Sequence, residues 1–221
     1  IAVTGVQTCA LPISGSGKSS LLQALVRRWV DEFDDGGGME RLPILVELSA
    51  YAKARSRSGR ISDFLDFCVE SDLAPWKFER EDLQQLLLTG QICLYLDGLD
   101  EIFDADLRAE VVQSIARLCT DYPAVRFVIT SRVIGYKGEV LRTAEFRHFM
   151  LQDLDDGQIE QFLVNWHRDT YRPEEVADRT EKHDRLLAAI GDSRAIRELA
   201  GNPLLLTMMA IVNRSQDLPR D

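Results

Sequence analysis

The sequence predicts a three-layer α/β protein, a parallel sheet with helices on both faces, followed by a C-terminal helical subdomain. Short apolar runs within 42–52, 91–102 and 124–132 are continuous rather than alternating, as strands buried on both faces require. Stretches of helical period separate these runs, and that alternation builds parallel sheets. From about Phe149 onward the pattern turns almost wholly helical.

The elements follow in order. "SSLLQALVRRWVDEF", residues 19–33, spaces Leu21, Leu22, Leu25, Val26, Trp29, Val30 and Phe33 as one helix face, opened by a glycine loop and ended by "DDGGG" at 34–38. "LPILVELSAYA", 42–52, holds a buried strand ending near Glu47 or Leu48, and the basic run "KARSRSGR", 53–60, reads as a polar loop. Helices are expected over 61–71 and 79–89, then the strand in "QICLYLDGLDEI", 91–102, which delivers carboxylates at its C-terminal edge. A helix over 105–120 and the strand in "AVRFVITSR", 124–132, complete the pattern. After a short extended piece, Asp155 or Asp156 marks a helix start, two helices follow near 178–190 and 193–200, and Pro203 suits the first turn of another. There is no internal repeat.

Composition narrows the function classes. A formal charge of -10 and a pI near 4.9 oppose a broad nucleic-acid footprint, which needs clustered Lys and Arg. Cys9, Cys68, Cys93 and Cys119 are too scattered for a metal cluster and read as buried thiols of a reducing compartment. His148, His167 and His183 form no ligand spacing either. No apolar run approaches the roughly 18 residues of a membrane-spanning helix, and no basic leader opens the chain. A cytoplasmic protein is the expectation.

Three motifs carry chemistry. In "SGSGKSS", 14–20, Gly15 and Gly17 allow close backbone approach to phosphate, and the helix that follows points free N–H groups at the same place. Ser16 and Ser20 belong to this cradle. Lys18 is placed to meet the β and γ phosphates, and Ser19 to offer its hydroxyl to Mg2+. At the end of an apolar strand, Asp97 is placed as an acid that binds hydrated Mg2+ from the second side, with Asp100 and Glu101 just beyond it to orient or deprotonate a water. A neighbouring strand ends in Thr130, Ser131 and Arg132, where a hydroxyl or guanidinium can detect the γ phosphate. Each motif has a bland reading: a flexible turn, a capped helix start, a salt-bridged surface arginine. Their order along one chain favours a nucleotide site.

With these residues in hand, the sequence resembles the NACHT domains of the STAND class of P-loop NTPases. The likeness rests on "GSGKSSLL" at 15–22, "LPILVELSAYA" at 42–52, "ICLYLDGLDEI" at 92–102, "RFVITSR" at 126–132 and "LAGNPLLLTMMA" at 199–210. It implies a P-loop NTPase fold, with the nucleotide-binding core at 15–148 and the helical subdomain at 149–221, truncated before any winged-helix domain. It also implies ATP or ADP with Mg2+ as bound ligands, Asp100, Glu101 and Arg132 as the hydrolytic group, and Pro203 beside the adenine. Slow ATP hydrolysis would switch the intact protein between a closed monomer and a self-associated ATP state in defence or regulation. Effector and sensor domains flank such cores in that family. A nucleotide-holding scaffold without hydrolysis, a small-molecule kinase and a DNA-remodelling ATPase are the competing readings.

One departure stands out. The pattern G-x-x-x-x-G-K-[ST] needs glycine where this chain has Pro12. Residues 2–14, "AVTGVQTCALPIS", resemble the translation of sequencing-adapter read-through. Segment 1–14 is therefore expected to be artefactual, with native sequence starting near Ser14 or Gly15.

Overall fold

A computed structural model describes residues 8–10, 15–34, 41–58, 61–74, 77–132 and 146–215. Pro12 and Ser14 lie outside them. The chain divides into two compact units, one formed by the described residues of Ile1–Ile13 and Lys18–Leu151, the other by those of Ser14–Gly17 and Gln152–Asp221.

The first unit is built on a five-stranded sheet whose strands are all parallel, in the order β2-β3-β4-β1-β5. The strands are β1 Thr8–Ala10, β2 Leu42–Glu47, β3 Ile92–Asp97, β4 Arg126–Thr130 and β5 Arg147–Phe149. Its helices are α1 Lys18–Asp34, α2 Leu48–Ser58, α3 Phe64–Glu70, α4 Arg80–Leu88 and α5 Ala105–Asp121. Continuous apolar strands serve two faces. Ile92, Leu94 and Leu96 of β3, with Ile44, Val46, Phe127 and Ile129 of its neighbours, enter the large core that includes residues of α2 to α5. Cys93 and Tyr95 point the other way and pack with Leu22, Leu25 and Val26 of α1. Alternation along a strand thus feeds two helical layers instead of one layer and solvent.

The structure corrects one element. Residues 53–58, read as a polar loop, continue α2. Leu48, Tyr51, Ala52 and Ala54 are buried while Lys53, Ser56 and Arg57 are exposed, so the basic residues form the outer face of a helix. Arg55 is anchored besides, donating to the Ser62 carbonyl at 2.6 Å and the Ser114 hydroxyl at 3.1 Å, with Glu110 at 3.5 Å.

The second unit contains α6 Asp156–Thr170, α7 Val176–Asp192, α8 Arg194–Ala200 and α9 Pro203–Ser215. Its own core joins Ile159, Leu163, Leu186, Ile190, Ala200, Leu206 and Ala210. Asp155 starts α6 by a capping box, its side chain accepting from the Gln158 N–H at 2.9 Å while Gln158 accepts from Asp155 N–H at 3.0 Å. Among the described residues no single helix is long and apolar enough to cross a membrane.

Candidate functional site

Parallel pairing of β3 with β4 sets Leu96 beside Ile129, so the two strands deliver their polar ends, Asp97 and Thr130, side by side. Thr130 is fully buried and its hydroxyl donates to Asp97 Oδ1. The Thr130 hydroxyl oxygen in turn accepts the Gly98 N–H at 2.9 Å. Gly98 takes φ +75°, a left-handed backbone conformation that favours glycine, and a Cβ there would meet only the movable end of the Glu101 side chain, at 2.9 Å from Cδ. Beyond it, Leu99–Glu101 form one 3-10 turn, closed by the Glu101 N–H on the Gly98 carbonyl at 3.0 Å.

Asp100 and Arg132 meet. The Arg132 backbone N–H donates to Asp100 Oδ1 at 2.9 Å, and its Nε lies 2.9 Å from Asp100 Oδ2. The Asp100 carboxylate is mostly covered, with 13% of its side chain accessible, while 51% of the Arg132 side chain is exposed. Glu101 remains exposed. Of the predicted acids, Asp100 is thus committed to Arg132 and Asp97 to Thr130.

Lys18 opens α1, where the first-turn N–H groups have no intrahelical acceptor. Ser19 and Ser20 follow, both exposed, and Lys18 is half-buried with no ion-pair partner among the described residues.

Within the second unit, Gly15 and Gly17 adopt φ of +79° and +84°. The Gly15 carbonyl accepts the Leu204 N–H at 3.3 Å. A Cβ on Gly15 would meet Asn202 Oδ1 at 2.9 Å and Leu204 Cβ at 3.2 Å, so close approach and dihedral both require glycine. Asn202 caps α9, accepting from Leu204 N–H at 3.0 Å and Leu205 N–H at 3.3 Å, and Pro203 is the first helical residue. Among the described residues the buried Ser16 hydroxyl has no hydrogen-bond partner.

The sequence reading left Asn202 and Gly98 without assigned contacts. Asn before Pro was the available signal for a helix cap, whereas the Asn202–Gly15 contact joins distant parts of the chain. Of the groups at the end of β4 that the sequence offers for detecting the γ phosphate, a hydroxyl or the Arg132 guanidinium, the Thr130 hydroxyl is turned to Asp97.

A family model for the NACHT domain matches residues 13–170. The chain belongs to the NACHT family. It is accordingly a nucleotide-binding NTPase of the P-loop class, whose members work with a nucleotide and typically Mg2+. No curated protein matches it. Among solved structures, the Orc1 protein of Aeropyrum pernix, determined in complex with DNA, is similar at TM-score 0.55 and 13% identity, over 95% of this chain and 54% of that one. Domain III of the Thermotoga maritima replication initiation protein DnaA gives TM-score 0.52 and 14% identity, over 96% of this chain and 85% of that one. At such identities the likeness establishes the α/β P-loop fold alone. This NACHT chain spans about half the length of the Orc1 chain.

Proposed function

We propose that this NACHT chain is a nucleotide-controlled switch that binds ATP or ADP with Mg2+ and hydrolyses ATP slowly. The observation that carries the reading is the polar edge where β3 and β4 end, which brings Asp97, the Asp100–Arg132 pair and exposed Glu101 to the ends of two paired strands. Lys18 and the N–H groups from Gly15 to Ser20 bind phosphate oxygens.

Ser19 and Asp97 fit Mg2+, since both are hard oxygen donors and Asp97 Oδ2 takes no hydrogen bond among the described residues. The ion, when bound, neutralises phosphate charge. In hydrolysis, Glu101 accepts a proton from the water that attacks the γ phosphorus, and the bond to the ADP oxygen breaks. Arg132 stabilises charge on the transferred group. Asp100 positions that arginine through the ion pair and its contact with the Arg132 backbone N–H.

ATP-driven self-association, a role in defence or regulation, and a cytoplasmic setting are proposals that rest on the family resemblance. So is the placing of Pro203 beside adenine. The charge of -10 supports a partner other than nucleic acid.

Calorimetric titration of the wild type and Lys18→Ala with MgADP and MgATP tests the reading. Wild-type binding that disappears in Lys18→Ala is the expected result. Equal affinity in both proteins would remove the phosphate site from this loop.

A further inference from the structure

We infer that Thr130 is a positioning residue that sets the Asp97 carboxylate for Mg2+ and, through Gly98, holds the turn carrying Asp100 and Glu101. This rests on the nucleotide reading above but assigns Thr130 a task other than touching the nucleotide. Its hydroxyl has one proton and lone pairs, and both kinds of capacity are used: it donates to Asp97 Oδ1 and accepts from the Gly98 N–H at 2.9 Å.

The first contact selects between the two carboxylate oxygens. With Oδ1 held, rotation about the Asp97 side chain is restricted and Oδ2 is the oxygen left for the ion or its water. The second contact fixes the Asp97–Gly98 peptide where the turn begins, and one peptide further on the Gly98 carbonyl accepts the Glu101 N–H at 3.0 Å. One buried hydroxyl therefore orients the magnesium acid and the turn bearing the hydrolytic acid together. Thr130 is able to do this because it is fully buried and β-branched, which limits its side-chain rotamers. Ser131 is no substitute, since its hydroxyl is 3.3 Å from the Arg132 carbonyl.

Thr130→Val keeps the shape and removes the hydroxyl, leaving Asp97 Oδ1 and the Gly98 N–H without their partner. ADP affinity measured in EDTA should stay at the wild-type value, while the gain in affinity on adding Mg2+ should fall about ten- to a hundredfold, the usual cost of losing an outer-shell partner of a metal ligand. Thr130→Ser, which restores the hydroxyl, should recover most of that gain. A valine variant with the full wild-type Mg2+ gain, or a serine variant as impaired as valine, would overturn the inference. A second measurement needs no variant: the Gly98 amide of the wild type should exchange its hydrogen slowly, and free exchange would also overturn it. A wild type that binds no ADP defeats the nucleotide reading itself, and the Thr130 contacts are then judged on Gly98 exchange.

Discussion

Glu101 and Asp100 are adjacent acids with different surroundings, and those surroundings separate their tasks. Asp100 spends both oxygens on Arg132, whereas Glu101 is exposed. Glu101→Gln keeps size and hydrogen bonding but loses the base, so ATP hydrolysis should fall about 10²–10⁴-fold with MgADP affinity unchanged. Asp100→Asn leaves an acceptor for the Arg132 N–H and weakens an ion pair whose arginine is half exposed. That pair is worth about 1 kcal/mol or less, which corresponds to an effect on hydrolysis of about fivefold or less. Phosphate-release assays on the two variants check the division, and an Asp100→Asn loss as large as that of Glu101→Gln would reverse it. The acids themselves were legible in "DGLDE", because a buried apolar run rarely ends in so many carboxylates. Which acid pairs with arginine was not, because that depends on the register of β3 against β4.

Local periodicity decides how far an element can be read. β3 and β4 were plain in the sequence because continuous apolar runs have few other uses, and α6 because Asp155 or Asp156 marks its start; the capping box with Gln158 settles that start on Asp155. α2 was not expected as a helix at all: 42–52 showed only the strand, the arginines and serines after it suggest a loop, and only burial of Leu48, Tyr51 and Ala54 reveals the helix face. A comparable capping box starts α3, with the Asp63 side chain accepting from the Asp66 N–H at 2.8 Å. Burial raises the Asp66 pKa, but the Ser62 hydroxyl and N–H and the Arg80 guanidinium outweigh it and hold the carboxyl below its ordinary value. A group depressed in the folded state contributes stability above its unfolded pKa and loses it as pH falls through the folded value. Stability of the first unit should therefore decline in acid, and Asp66→Asn should lower it at neutral pH while flattening that decline. Urea melts of both proteins across acidic and neutral pH check this, and parallel pH profiles would contradict it. In the second unit, Asp155→Ala should cost about 1 kcal/mol by loss of the cap.

At the scale of the whole molecule, the two cores share no member: one surrounds β3 and the other lies among α6 to α9. Separate cores allow separate opening, so the molecule need not unfold as one cooperative body. Hydrogen exchange read by mass spectrometry should give one protection level for peptides covering Ile92–Asp97 and another for peptides covering Asp156–Thr170. Nucleotide acts unequally on such levels. A ligand bound by Lys18, Ser19 and Asp97 stabilises the unit containing them by RT ln(1 + L/Kd), where L is its free concentration, about 2.7 kcal/mol when L is a hundredfold above Kd. Globally exchanging amides of β3 should then slow about a hundredfold with MgADP, and Lys18→Ala should abolish that slowing. Unchanged β3 exchange at saturating MgADP would mean that the phosphate loop and the magnesium acid do not serve one ligand. It would separate two motifs whose order in the sequence first suggested a single site.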